Sequence, residues 1–148
     1  MRKLNSLLLI PFALSFVACG PAGGNISGTI TAPAGVVVNG SVVLAILCSD
    51  SCTKLASQST ANALATADGG YTLPNVAGGQ YVVGAVQDTN GDNKGDYIGI
   101  YGSGTQASAV QPPASGINIR MTPYTGTASL SMKSNPSALL EAIRKISK

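Results

Sequence analysis

The side chains best suited to chemistry in this sequence lie in one stretch, Asp88-Thr-Asn-Gly-Asp-Asn-Lys-Gly-Asp96. It holds three of the chain's six carboxylates, at Asp88, Asp92 and Asp96, and Asn90 places an amide oxygen between the first two. A calcium ion takes about six to eight oxygen ligands, and the glycines of the stretch let a short backbone fold around such an ion. The spacing therefore predicts a calcium-binding loop.

A solvated hairpin turn is the alternative for the same stretch, because Asn-Gly and Asp-Asn pairs are common in turns. Three carboxylates within nine residues repel one another when no cation is present, which favours the metal. Magnesium is the weaker choice of ion, since it prefers to keep several waters in an octahedral site.

Catalytic groups are scarce in the rest of the sequence. The chain has no histidine, which excludes Ser-His-Asp and Cys-His arrangements. A serine–lysine pair around Lys54 or Lys133 is conceivable, but no motif frames either lysine. A glycosidase needs two carboxylates that flank one bond, whereas the three in the 88–96 stretch are grouped as one site. We expect a protein that is not an enzyme.

The first residues have the pattern of an export signal. Arg2 and Lys3 precede an apolar run over 7–17, which is shorter than the roughly 20 residues that a membrane-spanning helix needs. The run ends in Phe16-Val-Ala-Cys19, which resembles the lipobox of bacterial lipoproteins except for phenylalanine in place of the usual leucine. This resemblance implies a signal peptide over 1–18 and fatty acids such as palmitate on Cys19. An ordinary signal peptide with a chance cysteine is the alternative.

The lipobox also implies a cellular location. Several acyl chains on one cysteine anchor a protein stably, since each buried methylene contributes about 0.8 kcal/mol. Gly20 stands where inner-membrane lipoproteins carry aspartate, so in an organism with two membranes the outer membrane is favoured. Residues 19–24 are mostly glycine, alanine and proline, and predict a flexible tether.

Two further cysteines, Cys48 and Cys52, predict a small disulfide ring, because an exported protein meets an oxidising compartment. Closing so short a loop stabilises the fold by only about 2 kcal/mol in the chain-entropy model. A redox pair and a metal site are the alternatives. Both are weaker, because the spacing exceeds that of Cys-x-x-Cys by one residue and the chain has no histidine to complete a zinc set.

Composition fits an exported β-protein of one domain. Only 10% of the 148 residues are charged, and the net charge of +3 includes the two basic residues of the leader. The basic residues are scattered except near the C-terminus and are not interleaved with aromatic residues, so no nucleic-acid partner is implied.

Apolar and polar residues alternate over 25–31 and 117–121, large residues alternate with glycine over 97–101, and 40–48 is apolar nearly throughout; each pattern predicts a strand. The predicted strands are 25–31, 40–48, 80–87, 97–101 and 117–121, together with 71–73 ended by Pro74, a short strand at 64–66 and an edge strand at 127–132. Thr53–Ala63 is small and polar and is interpreted as a loop or edge excursion. The 88–96 loop then joins two antiparallel strands. We predict an all-β antiparallel sandwich over 25–132.

The C-terminal segment 133–148 is the exception and predicts a helix. Asn135 can cap it, Pro136 suits its first turn, and an apolar face is formed by Leu139, Leu140, Ile143 and Ile146. This face is expected to pack on the β-domain. The alternative is a basic amphipathic helix that lies on a membrane or meets a partner protein.

One longer pattern, Asp68 to Val83, resembles the carboxypeptidase regulatory-like domains, which are transthyretin-like sandwiches of about seven strands. The positions of their signature are filled here by Gly69, Tyr71, Leu73, Val76, Gly79, Tyr81 and Val83. Ile26–Thr31 also matches the first strand of that family, and the resemblance covers about residues 25–122. It is fairly specific for fold and nearly silent on function.

Some domains of this kind carry an extension that resembles the 88–96 stretch and implies bound calcium. Carried over, Asp88, Asn90 and Asp92 supply side-chain oxygens, Lys94 a backbone carbonyl and Asp96 a further carboxylate. The likeness to an EF-hand is partial. Asn93 and Gly99 stand where an EF-hand has glycine and a bidentate glutamate, and no helix is predicted on either side.

These expectations combine into a lipid-anchored envelope module, stabilised by calcium, that makes structural or adhesive contacts with an envelope protein or a glycan. The alternative is an accessory lipoprotein that binds a small ligand in an apolar groove between the sandwich and the C-terminal helix. Tyr97 and Tyr101 adjoin the 88–96 loop and are candidate ligand contacts, although ordinary strand aromatics would look the same.

Overall fold

The structure, a computed structural model, describes residues 23–50, 52, 54–56, 59, 61–92, 95–103 and 106–124. These residues form an all-β fold, as predicted, and no helix occurs among them. The strands are β1 (Gly24–Thr31), β2 (Val42–Ser49), β3 (Lys54–Leu55), β4 (Ala61–Leu64), β5 (Gly70–Val76), β6 (Gln80–Gln87), β7 (Tyr97–Ile100), β8 (Gly102–Ser103), β9 (Gln106–Ala107), β10 (Ile119–Arg120) and β11 (Thr122–Pro123).

The larger sheet is antiparallel throughout and has the strand order β11-β7-β6-β2-β3, with β4 on the same side of β2 as β3. Strands β2 and β6 form its centre and are paired from Val42↔Val86 to Cys48↔Gln80. Three of the eight residues in each strand are β-branched, and such residues favour the extended backbone.

The smaller sheet has the order β10-β1-β5. Strand β5 is antiparallel to β1, whereas β10 is parallel to it, with Ile30 opposite Ile119. The parallel pair is a departure from the predicted antiparallel architecture. Strands β8 and β9 form a separate two-stranded hairpin.

The segment after this hairpin joins the two sheets. Val110 exchanges two backbone hydrogen bonds with Tyr81 of the larger sheet, and Ala114 and Ile117 then bond to β1 in the smaller sheet. At β11 the chain returns to the larger sheet beside β7. One continuous stretch, 110–123, therefore closes this side of the fold.

The principal core cluster lies between the two sheets and takes residues from both. Ile26 and Leu73 of the smaller sheet and Val43 and Val83 of the larger are each 0% exposed. Burying one such side chain contributes roughly 1.5–3 kcal/mol. Tyr71 is also buried in this cluster, and its hydroxyl donates to the carbonyl oxygen of Ile117 at 2.7 Å.

A second apolar cluster occupies the other face of the larger sheet, and we call it the outer-face cluster. Its buried members are Leu44, Ile46, Cys48, Val82, Val86 and Ile98. Every residue from Tyr81 to Gln87 of β6 is consequently buried, so the strand is covered on both faces.

The sequence pattern predicted β1, β2, β6 and β7 to within two residues at either end. The loop predicted over 53–63 is wrong in part, because β3 and most of β4 lie within it and β4 ends at Leu64 instead of a strand beginning there. These short strands pair with the otherwise open edge of β2. Tertiary pairing has overridden the weak local preference of a small, polar segment.

Strand β5 continues through Pro74, where the sequence predicted an end. The register shifts there, since Ile26 is opposite Leu73 while Gly24 is opposite Val76. This irregularity accommodates a residue that has no N–H to donate. The N–H of Asn75, whose φ is +53°, donates instead to the side chain of Asn25 at 3.1 Å.

The predicted signal peptide, most of the tether, the edge strand at 127–132 and the C-terminal helix lie outside the described residues. Among the residues described, no helix has the length and apolar character needed to cross a membrane.

Candidate functional site

The predicted calcium loop connects two neighbouring strands of the larger sheet. Gln87 at the end of β6 is paired with Tyr97 at the start of β7, and the N–H of Asp96 donates to the carbonyl oxygen of Gln87 at 2.8 Å. Asp88 and Asp96 therefore leave the sheet side by side. The structure describes 88–92 and 95–96 of this loop, while Asn93 and the predicted ligand Lys94 lie outside the described residues.

A buried polar pair fixes the base of the loop. Ser41 is 0% exposed and its hydroxyl donates to the side-chain oxygen of Gln87 at 2.5 Å. The side-chain nitrogen of Gln87 donates in turn to the carbonyl oxygen of Asp88 at 3.3 Å. Our sequence analysis missed both residues. Their signal was the presence of a polar residue at the end of each of two otherwise apolar strands.

The first half of the loop is folded by two of the side chains predicted to bind the ion. Oδ1 of Asp88 accepts hydrogen bonds from the N–H groups of Asn90 at 3.2 Å and Gly91 at 2.7 Å. Oδ1 of Asn90 accepts one from the N–H of Asp92 at 2.9 Å. Aspartate and asparagine form such turns readily, because their short side chains reach the backbone two residues on.

Asp96 closes the loop from its other end. Its Oδ2 accepts hydrogen bonds from both the hydroxyl and the N–H of Thr89, the latter at 2.7 Å. These bonds, the hydroxyl bond foremost, lower the pKa of Asp96 below its usual value because they stabilise the charged form. Asp96 is therefore ionised at neutral pH, as a calcium ligand must be.

The donor chemistry of the loop fits calcium, since carboxylate and amide oxygens are its preferred ligands. A carboxylate can accept about four bonds, so bonding to backbone N–H groups and binding a cation are compatible. As the described residues are placed, however, no three Asp, Glu, Cys or His side chains gather around one point. Binding would therefore have to draw the three carboxylates together, with Asn90 and a backbone carbonyl completing the set.

Of the two tyrosines predicted as candidate ligand contacts, Tyr97 directly follows this loop, whereas Tyr101 comes after the other end of β7 and its N–H donates to the carbonyl oxygen of Val83. Tyr97 and Tyr101 are each half-buried and pack against the principal core cluster. Burial raises the pKa of Tyr71, and the neighbouring Tyr101 acts in the same direction, which places Tyr101 close to the buried ring. Both tyrosines therefore serve as core packing, and each retains an exposed part of its surface.

The structure joins Cys48 and Cys52, as predicted, with their Cα atoms 4.7 Å apart. The disulfide ring begins at Cys48 near the end of β2, and within it Asp50 and Cys52 have positive φ angles of 51° and 63°. Cys48 belongs to the outer-face cluster and Cys52 packs against it. The disulfide thus covers one margin of that face. Cys19, the predicted lipidation site, lies outside the described residues.

The described surface also has an open depression of about 600 Å³ on the smaller sheet. Most of its lining surface is apolar, and the lining residues include Leu64 and Tyr71 as well as Thr29, Thr72 and Asn118. Thr29 and Asn118 bond to one another at 2.9 Å. The groove expected between the sandwich and the C-terminal helix is a separate prediction, because that helix lies outside the described residues.

Neither the protein-family models nor the curated proteins compared with this chain gave a match. The resemblance to carboxypeptidase regulatory-like domains therefore rests on the residues of the 68–83 pattern and on where they lie.

Proposed function

We propose that this chain is a lipid-anchored module of the bacterial cell envelope, folded as a transthyretin-like β-sandwich and stiffened by calcium in the 88–96 loop. Its role is structural or adhesive, through contacts of this loop and its surroundings with an envelope protein or a glycan. The observation that carries the proposal is the position of the loop relative to the point where the chain enters the fold.

The loop and the entry point lie at opposite ends of the described fold. Gly24, at the start of β1, is opposite Val76, and β6 begins shortly afterwards at Gln80. The 88–96 loop follows the far end of β6, an eight-residue strand that spans about 23 Å. A tether at 19–24 anchored in a bilayer would thus present this loop at the end of the domain away from the membrane.

The burial of the signature residues supports the sandwich assignment. Tyr71, Leu73, Val76, Tyr81 and Val83 all belong to the principal core cluster between the two sheets. Gly69 has a φ of +81°, and a Cβ atom at this position would lie 2.4 Å from the carbonyl oxygen of Ile30. The pattern that suggested the family therefore consists of residues that the fold needs at those places.

The arrangement of the loop supports the calcium assignment. Antiparallel pairing of β6 and β7 fixes the separation of Asp88 and Asp96, and the buried Ser41–Gln87 pair holds the end of β6 in place. The backbones of Asp88 and Asp96 are thus held side by side before any ion arrives, so the ordering that binding requires is confined to the side chains and to the part of the loop that carries Asp92.

Calcium titration of the chain from Cys19 to Lys148, carrying Cys19→Ser to remove the predicted lipid site, tests the assignment. We expect about one equivalent to bind, and saturating calcium at 100 times Kd to stabilise the fold by about 2.7 kcal/mol. Asp92→Ala should abolish both effects. Asp68→Ala, which removes an equal charge from another turn, should leave both intact. Absence of binding at millimolar calcium, or equal effects of the two substitutions, would refute the calcium assignment.

The anchor is tested separately by expressing the full chain in a bacterial host with labelled palmitate. We expect label in the wild-type protein and none in Cys19→Ser, with the labelled protein in the membrane fraction. Export and cleavage without label would show an ordinary signal peptide and leave the calcium result unaffected.

A further inference from the structure

The outer face of the larger sheet is apolar and buried, which is unusual for one face of an antiparallel sheet. Ile46, Val82 and Ile98 of the outer-face cluster are 0%, 1% and 2% exposed. Antiparallel sheets commonly present a polar second face to water. A face with this composition requires an apolar cover.

The described residues that approach this face do so from its two sides. Cys52, Leu55 and Ala56 contact it along the β3 edge, and Ala107 and Tyr124 contact it beyond β7. Ile46 and Val82, which are paired in register, lie between these two groups. The described residues thus frame the face, and its central strip is the part that a further element would fill.

The described chain ends on this same face. The N–H of Tyr124 donates to the carbonyl oxygen of Asp96 at 2.7 Å, and its ring packs against the outer-face cluster. Within the part of the chain that the structure describes, the buried Tyr124 hydroxyl has no hydrogen-bond partner. Such a group destabilises a fold until a partner is supplied. The residues that follow Tyr124 start at the right place to cover the face and to bond this hydroxyl.

The segment 125–148 has the sequence and length for this task. Its helical pattern over 136–147 would give a rod about 18 Å long, against roughly 14 Å across four strands of the sheet. The linker 125–135 reaches up to about 36 Å when extended. The apolar positions Leu139, Leu140, Ile143 and Ile146 fall on one side of such a helix, while Lys145 and Lys148 fall elsewhere.

We propose that 136–147 forms an amphipathic helix that docks on the outer-face cluster, with Leu140 and Ile143 over Ile46 and Val82. The larger sheet then becomes the middle layer of a three-layer domain. A helix lying flat on this strip fills the apolar surface, so no open groove remains between helix and sheet. The inference is independent of the calcium loop and of the anchor.

A double-mutant cycle in the chain from Cys19 to Lys148 with Cys19→Ser tests the docking. Val82 and Val83 are neighbours on β6 that face opposite sides of the sheet, so Val83→Ala is a matched control for Val82→Ala. We expect Ile143→Ala and Val82→Ala to be coupled, their joint effect on the unfolding constant being at least threefold smaller than the product of the single effects. The effects of Ile143→Ala and Val83→Ala on the unfolding constant should multiply to within twofold, as expected for sites that are not in contact.

Hydrogen exchange in the unsubstituted chain gives a second measurement that no folding defect can obscure. Amides over 139–146 should exchange at least 100-fold more slowly than in an unfolded chain. Exchange at the unfolded rate would overturn the proposal, as would equal coupling of Ile143 to Val82 and Val83.

Two other occupants of the face give distinct results. If a second copy supplied the helix, the coupling would disappear on dilution together with a dimer seen by sedimentation. If the segment bound membranes, protection over 139–146 would appear only with vesicles containing anionic phosphatidylglycerol. Either result would overturn docking within one chain.

Discussion

Two aspartate-containing turns flank β5 and β6, and they use their carboxylates differently. In the turn at 66–70, the Asp68 side chain accepts one hydrogen bond from the Thr66 hydroxyl and one from the N–H of Gly70, and these two bonds close the turn. In the 88–96 loop, Asp96 forms the corresponding pair of bonds with Thr89, yet Asp88 and Asp92 are present as well. One carboxylate suffices to close a turn. In the longer loop Asp88 folds the first half through the N–H groups of Asn90 and Gly91, while Asp96 closes the other end, so this loop uses two carboxylates where the shorter turn uses one.

The largest difference between these turns should appear on adding a methyl group to their glycines. Gly69 and Gly91 have similar φ angles, +81° and +77°. A Cβ atom added at Gly69 would lie 2.4 Å from the Ile30 carbonyl oxygen, whereas one added at Gly91 would have no described atom within 4 Å. Gly91→Ala should cost about 1–2 kcal/mol of unfolding free energy, from backbone strain alone. Gly69→Ala should cost at least about 2 kcal/mol more, by analogy with overpacking. Urea unfolding of both variants measures this, and equal losses would contradict the close packing at Gly69.

An intermediate effect is expected at the buried base of the loop. Ser41→Ala removes the hydroxyl that donates to Gln87, leaving a buried side-chain oxygen short of a donor. The expected loss is about 1–3 kcal/mol of unfolding free energy. Thr66→Ala in the exposed turn serves as the comparison and should cost less. If the two losses were the same, the buried pair would not be what holds the loop.

The smallest effect concerns protonation. Thr66 lowers the pKa of Asp68 and Thr89 lowers that of Asp96, in each case chiefly through a hydroxyl hydrogen bond. A folded-state pKa below the unfolded value gives stability that is present above about pH 3.9 and is lost as the pH falls through the folded value. Thr89→Val should raise the pKa of Asp96 and leave that of Asp68 unchanged, with the reverse for Thr66→Val. Carbon-detected NMR titration of the two carboxyl groups measures both shifts, and a shift of both by one substitution would contradict independent turns.

The sequence predicted those parts of the fold that local pattern controls. The structure agrees with the alternation of β1, the apolar segment of β6 and the Asp68-Gly-Gly turn, each of which is set by neighbouring residues. Strands β3 and β4 could not be predicted in this way. Ala61–Leu64 has little preference for strand, and it is extended because β2 offers an unpaired edge.

The course of the chain at Pro74 and the direction of β10 also could not be predicted from local sequence pattern. Proline often ends strands, so the sequence predicted that the strand would end at Pro74. In the structure a register shift against β1 accommodates the proline and the strand continues. The parallel direction of β10 depends on how the chain crosses between sheets, which no short window of sequence contains. In the candidate site, acidic spacing identified the loop, whereas the pairing of Ser41 with Gln87 joins residues 46 positions apart.

Strand β1 lies between β5 on one side and the 114–121 segment on the other, bonded to both along most of its length. Its hydrogen bonds run across the strand direction. A force applied at residue 23 along this strand would act on the hydrogen bonds to both neighbouring segments at the same time. These bonds would have to break together and not one after another. If the chain is anchored at this end, as we propose, the domain would resist unfolding under a pulling force, because the strand next to the anchor is hydrogen-bonded along both edges.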